Sequence, residues 1–179
     1  MNQIYTHPKR KTKVVFVQLG SPSEPTTKAL RKYLRKFLGD PRVIDINPWL
    51  WKIILNFFVL PFRPKKSAKL YARIWDGKSF PLITNTRDFT NNVREELKKI
   101  DPDGHVEVNH AFLLSPPYVN EVYDSWEDDL KKGIGATKLL VIPMFPQYSE
   151  STIASGIDAL AKELSKRVKI PTFEVITNF

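Results

Sequence analysis

The chain has 179 residues, 42% of them hydrophobic, which suits one domain with a core and excludes wholesale disorder. It holds no cysteine, so disulfides, thiolate metal sites and cysteine-ligated iron–sulfur clusters are excluded. Its 28 basic and 19 acidic residues leave a net charge of +9, which favours anionic partners: acidic lipid, nucleic acid, or a small molecule carrying carboxylates or phosphates.

Met1 to Lys13 is polar and basic without an apolar segment, so no secretory signal is expected and the cytoplasm is the default. Val14-Val15-Phe16-Val17-Gln18-Leu19 then reads as a first buried strand, ended by Gly20-Ser21-Pro22. Thr26 or Thr27 can cap the next helix, where Leu30, Tyr33, Leu34, Phe37 and Leu38 recur at helical spacing until Gly39-Asp40-Pro41. Phe89, Val93, Leu97 and Ile100 mark a second helix, and a strand pattern follows from His105 through Val106, Val108, His110 and Phe112. Val119, Val122, Trp126 and Leu130 mark another helix, closed by Gly133 and Gly135. Leu139 to Phe145, interrupted by Pro143, reads as a buried strand that breaks into Pro146-Gln147-Tyr148-Ser149-Glu150-Ser151-Thr152. A helix with Ile153, Ile157, Leu160, Leu164 and Val168 comes next, and Phe173 to Ile176 is a fourth strand.

Strands alternating with helices predict an α/β fold, a doubly wound parallel sheet of about four strands in a single unit over 1–179. A polar loop between a buried strand and a helix N-terminus is where such sheets hold ligands, which makes 146–152 the first candidate site.

Residues 46–75 do not fit this rhythm. Pro48 to Phe62 is strongly apolar but includes Lys52 and Asn56, and it is shorter than the ~20 residues a membrane span needs. Arg63, Lys65, Lys66, Lys69 and Arg73 follow with no acidic residue before Asp76. One reading is a core helix with a solvated basic flank. The other is an exposed apolar lip with a basic rim, suited to a bilayer surface or a flat apolar ligand with acidic edges.

Other chemistry finds little support. Neither G-x-G-x-x-G nor a P-loop sequence is present. His7, His105 and His110 share no metal-ligand spacing, and His110 reads as structural. Glu127-Asp128-Asp129 reads as a solvated face. Basic residues alternate with aromatics between Tyr33 and Trp75, yet no nucleic-acid motif accompanies them, and no nucleic-acid partner is expected.

Several motifs occur in an order that is specific taken together. They are Leu19-Gly20-Ser21-Pro22, Tyr33 to Val43, Arg63 to Trp75, Ser79-Phe80-Pro81-Leu82 and Pro146 to Thr152. The chain is similar in these to the N-terminal half of ferrochelatase, which inserts ferrous iron into protoporphyrin to make haem. The resemblance implies one Rossmann-like lobe of two, a porphyrin cleft between them, and an apolar lip formed by Trp49, Trp51, Phe57, Phe58 and Phe62. Arg63 resembles the arginine that holds a propionate, and Tyr71 and Ser79 match other porphyrin-site positions. Leu19 matches an apolar residue over the ring, and Gln147, Tyr148 and Ser149 would line the cleft wall. Read without the family, Tyr71 is a packing residue beside Ile74 and Trp75, and Ser79 a turn residue.

The sequence departs from the family in two places. Phe112-Leu113-Leu114-Ser115 stands where a Met-Arg-Tyr-Gly-like sequence is common, and Ser79-Phe80-Pro81 carries one residue more than the usual Ser-Pro. The family's catalytic histidine and glutamate belong to the second lobe, and no residue of this chain matches them. Catalytic residues and metal ligands are therefore left unassigned, no cofactor is expected, and iron enters only as a substrate. The expected partners are protoporphyrin, a membrane surface, and a C-terminal lobe or a second copy of the chain. The alternative is a free-standing porphyrin- or haem-binding protein that catalyses nothing.

Overall fold

A computed structural model describes residues 11–131 and 136–177. His7, Gly133 and Gly135 lie outside them. Four strands form one parallel sheet: β1 (Lys11–Gln18), β2 (Val106–Phe112), β3 (Ala136–Pro143) and β4 (Thr172–Val175), in the order β2-β1-β3-β4. The two inner strands, β1 and β3, carry apolar runs because both their faces are covered. Val15 and Val17 pack with Ala111, Leu139 and Val141 against α5 (Val119–Lys131) and α6 (Ser155–Leu164). Val14 and Phe16 face the other way, onto Val93 and Leu97 of α4 (Pro81–Ile100). Phe16 also meets the edge of Phe89 with ring centroids 5.0 Å apart. This is the doubly wound α/β arrangement the alternating pattern predicts.

Its register is direct: Val15 sits between Asn109 and Val141. After β1 the chain moves to one side for β2, then returns past β1 for β3. The strand order therefore reverses between β1 and β3, and a crevice opens at the carboxyl ends of such a pair. Thr26 is the cap of α1 (Thr27–Leu38): its backbone is extended and its hydroxyl accepts the Ala29 amide at 3.2 Å.

Several expectations need correction at element ends. Ile100 was expected on the inner stripe of α4 but is exposed at its last turn. Val168 was expected on the last helix stripe, but that helix ends at Leu164 and Val168 is fully exposed. The helix also opens with a wide π-helical turn, Glu150–Ala154, before α6. The 127–129 acidic cluster is not merely a solvated face. Lys13, in the centre of the sheet, has no exposed surface, and its ammonium donates to Asp129 Oδ2 at 2.8 Å and Ser125 Oγ at 3.1 Å. Glu107 lies 3.5 Å from the same nitrogen, and Glu127 pairs with Arg167 at 3.0 Å.

A third packed cluster lies outside the sheet. Tyr33, Leu34 and Leu38 of α1 bury Leu55 and Leu60 of the 46–75 segment, with Trp51 and Val59 beside them. No helix among the described residues is long and apolar enough to cross a membrane.

Candidate functional site

The site begins where β1 leaves the sheet. The Gln18 side chain accepts the Leu19 amide at 2.9 Å and donates to Met144 O at 3.4 Å, tying the exits of β1 and β3 together. Leu19, half-buried, accepts the Leu114 amide at 3.0 Å. Gly20 has φ +91°, and a β-carbon there would stand 2.4 Å from Ser115 Oγ and 3.1 Å from Phe112 Cβ. Only glycine lets the β1 loop lie this close to the β2 loop.

The lip is built on α1. Asn47 accepts the Trp49 and Leu50 amides at 3.1 and 3.4 Å, opening α2 (Pro48–Ile54) with Pro48 in its first turn. A π-helical turn, Leu55–Val59, continues it, and α3 (Arg63–Tyr71) follows. Leu55 and Leu60 point inward, and Arg31 donates to Leu60 O at 3.2 Å. Outward stand Trp49, Leu50, Ile53, Phe57, Phe58 and Phe62, each more than half exposed, with Trp49 at 79%. The core-helix reading is therefore excluded for this face. Trp51 differs from the other expected lip aromatics: its indole donates to Leu38 O at 2.6 Å and it packs in the α1 cluster, so it anchors the lip instead of presenting it.

Arg63, Lys65, Lys66, Lys69 and Arg73 are exposed along and just beyond α3. None has an ion-pair partner among the described residues. A continuous apolar face thus ends in unneutralised positive charge.

Tyr71 is half-buried in a chain of rings. It meets Tyr33 at 6.2 Å and Phe80 at 5.4 Å, and Phe80 meets Trp75 at 4.7 Å. Tyr33 donates to Gly20 O at 3.4 Å, which links the rings to the β1 loop. Burial, and then the neighbouring Tyr71, push the Tyr33 phenol up, so it stays protonated. Ser79 ends a turn in which Asp76 Oδ1 accepts the Ser79 and Lys78 amides at 2.5 and 2.7 Å. Those two bonds, led by Ser79, hold the Asp76 carboxyl below the usual carboxylate range.

Beside these rings lies a cavity of about 290 Å³ lined by Ser79, Tyr33, Phe80 and Trp75. Sequence reasoning missed other polar residues of its lining, among them Ser21, Ser115, Lys32, Lys36 and Lys78. Lys32 and Lys36 share a helix face at i, i+4, a signal that was legible but ordinary for a solvent face.

The third part, after β3, stands apart. Gln147 and Tyr148 are exposed, and Ser149 is half-buried, its hydroxyl 3.1 Å from that of Ser151. The Arg42 guanidinium donates to both Asp158 oxygens at 2.8 and 3.1 Å, which ties α6 to the loop after α1. The Arg42 bonds hold the Asp158 carboxyl below its ordinary range. Ser79, Tyr71 and the Leu19–Gly20 loop are therefore joined through the ring chain. Arg63 and the 147–149 residues do not line the cavity.

His110 sits on the edge strand against Phe112, ring centroids 5.5 Å apart, with its Nδ1 buried and unpartnered. Burial first, then the charges of Arg94 and Arg87, lower its pKa and keep it neutral. Among the described residues no group of three or more His, Cys, Asp or Glu side chains is placed to hold a metal ion.

Comparison with known proteins gives one consistent result. The family model described as Ferrochelatase matches residues 11–179. The chain is 42% identical over 166 residues to a ferrochelatase of Idiomarina loihiensis, covering 93% of this chain and 44% of that protein. It is 37% identical to a ferrochelatase of Teredinibacter turnerae, covering 99% of this chain and 47% of that one. It is 39% identical to a coproporphyrin III ferrochelatase of Streptococcus mutans, covering 95% and 51%. The chain spans about half the length of the curated relatives it matches.

Proposed function

The chain belongs to the ferrochelatase family, and from that premise we propose that it binds and orients a porphyrin for insertion of ferrous iron, as the N-terminal lobe of a haem-forming lyase. The observation that carries this reading is the pairing of an outward apolar face with unneutralised cations at its end. A porphyrin is a flat apolar ring with carboxylates on one edge. Trp49, Phe57, Phe58 and Phe62 offer it apolar cover, and Arg63 offers its propionate a charge-assisted hydrogen bond. We assign Tyr71, Ser79 and Leu19 to the ring's inner surroundings, and Gln147, Tyr148 and Ser149 to the opposite wall.

Metallation also requires a base for the pyrrole protons and ligands that deliver iron. We place both outside these residues, on a second lobe or a second copy, so that this chain by itself binds without inserting metal. Among the porphyrins, protoporphyrin suits the site better than the tetracarboxylate coproporphyrin, because the lip is apolar over most of its length. We further infer that the lip meets a membrane surface, from which an ill-soluble porphyrin can be taken up.

Absorbance titration tests the reading. Protoporphyrin should bind saturably and more tightly than coproporphyrin III, and Arg63→Ala should weaken it roughly tenfold, the value of one charge-assisted hydrogen bond near solvent. Unchanged affinity removes Arg63 from the site. Haem formation by the isolated chain would overturn the binding-only assignment.

A further inference from the structure

One contact joins the base of the lip to the wall after β3. Arg42 lies in the loop between α1 and α2, and that loop is fixed where it leaves α1. The Arg42 amide donates to Asp40 Oδ1 at 2.8 Å, and the Val43 and Ile44 amides donate to Asp40 O at 3.0 and 3.2 Å. Val43 and Ile44 also pack on the α1 cluster that carries the lip. On the far side, Asp158 stands in the first turn of α6. The loop after β3 joins that helix at Ser149, whose carbonyl accepts the Ile153 amide at 2.9 Å and the Thr152 and Ala154 amides at 3.3 Å. Ile153 and Ala154 are buried, so Ser149 and α6 behave as one body. The Arg42 guanidinium meets the Asp158 carboxylate with two donors, a fork geometry that fixes orientation as well as distance. No other hydrogen bond or ion pair among the described residues joins 39–62 to 146–158. Asp158 first, then Tyr148 and Glu150, raise the Arg42 pKa, so both neighbours of Ser149 lie within electrostatic reach of the same guanidinium.

We propose that Arg42 and Asp158 are positioning residues whose ion pair sets the gap between the Gln147–Ser149 wall and the base of the lip. Their side chains are 42% and 54% exposed, and ion pairs at that exposure add little to global stability. What this pair adds is register. Each end is built on its own buried cluster, so neither needs the bridge to fold, while the wall has no other polar hold on the lip. Exposure also makes the bridge sensitive to salt, whose screening length falls to ~3 Å at about 1 M. The consequence for ligand binding rests on the porphyrin reading. With the lip and the wall bounding the ring from two sides, releasing the bridge weakens binding without removing a group assigned to the ligand.

The chain has no cysteine, so Asp45→Cys/Gln147→Cys accepts spin labels at those two positions alone. Double electron–electron resonance on the full chain then reads the distance between lip base and wall without any ligand. A single narrow distribution is expected. Arg42→Ala and Asp158→Asn should each broaden or shift it, and Arg42→Asp/Asp158→Arg should restore it, because the bridge re-forms with its ends exchanged. Raising NaCl to about 1 M should broaden the parent distribution and leave that of Arg42→Ala as it was. In unlabelled chains, Arg42→Ala should weaken protoporphyrin binding about threefold or more by absorbance titration. The exchanged pair should recover it, with urea midpoints close to the parent's throughout. An unchanged distribution in Arg42→Ala, or no recovery in the exchanged pair, would overturn the positioning role. Altered distances with unaltered affinity would overturn its bearing on the ligand. A parent chain that binds no protoporphyrin counts against the porphyrin reading alone, since the distances are read without ligand.

Discussion

Gly20→Ala should damage the fold and the site together. The methyl group meets two separate obstacles. Gly20 has φ +91°, a conformation that costs a residue with a β-carbon of order 1–3 kcal/mol. The new carbon would also lie 2.4 Å from Ser115 Oγ and 3.1 Å from Phe112 Cβ, where the β1 and β2 loops meet. Phe112 is fully buried and cannot move away, so Ser115 must. Its displacement breaks the bond from the Ser21 amide and leaves a buried donor unpaired, for about 1–3 kcal/mol more. The total is about 2–6 kcal/mol, equivalent to a fall in Tm of roughly 4–24 °C for a chain of this size. Urea denaturation and thermal melting measure it. Gly20→Ala/Ser115→Ala supplies the control, because removing Oγ relieves the closest contact while the backbone strain remains. The double variant should be less destabilised than the sum of the two single ones by about 1 kcal/mol or more. A Gly20→Ala protein within about 0.5 kcal/mol of the parent, or strict additivity in the double variant, would refute the reasoning.

Asp129→Ala leaves the fully buried Lys13 ammonium with Ser125 and a longer contact to Glu107, and should cost about 2–4 kcal/mol in urea unfolding. Lys13→Met removes the charge and leaves Asp129 and Glu107 partly exposed and able to hydrate, so its cost should be smaller; the reverse order would contradict a buried-charge account. Trp49→Asp should weaken binding to anionic vesicles roughly tenfold or more in a sedimentation assay, and no change would remove the lip from the membrane. The Asp76 carboxyl is held low by the Ser79 and Lys78 amides, so its support of the Ser79 turn is complete above the ordinary aspartate pKa near ~4 and is lost as pH falls through the lower folded value. The Ser79 amide NMR signal should titrate in that acid window, and Asp76→Ala should abolish the transition.

The sheet was legible because its two inner strands are covered on both faces, so Val14 to Val17 and Leu139 to Ile142 read as unbroken apolar runs. Their order then places the loops after β1 and β3 beside the reversal point. The lip was half legible. Its length excluded a membrane span, but an apolar run of that size fits a core helix equally well. What decides is which side Leu55 and Leu60 take, and that depends on α1 residues some twenty positions earlier. Trp51 was assigned to the wrong side for the same reason: its indole partner is the Leu38 carbonyl, which no periodicity reveals. Lys13 was lost in a basic terminus because its burial depends on Asp129, far along the chain. The cavity joins α1, the Asp76 turn and the two strand-end loops, and each contributes residues that look ordinary alone.

The lip and the cavity both carry exposed cations, and their placement bears on function. On α3 the cations stand in solvent beyond an apolar face, where they can meet an anionic edge only after something apolar has covered that face. Charge at such a rim sets orientation and encounter more than affinity, and salt screens it. In the cavity, Lys36 donates to the Tyr118 hydroxyl at 3.0 Å, and Ser79, one of the residues assigned to the porphyrin, lines the same wall. Phe80 lines the cavity and meets Tyr71, the last residue of α3, with ring centroids 5.4 Å apart, so the two surfaces adjoin. The lip and the cavity therefore form adjoining parts of one surface, whose exposed cations suit an acidic edge brought in by an apolar face.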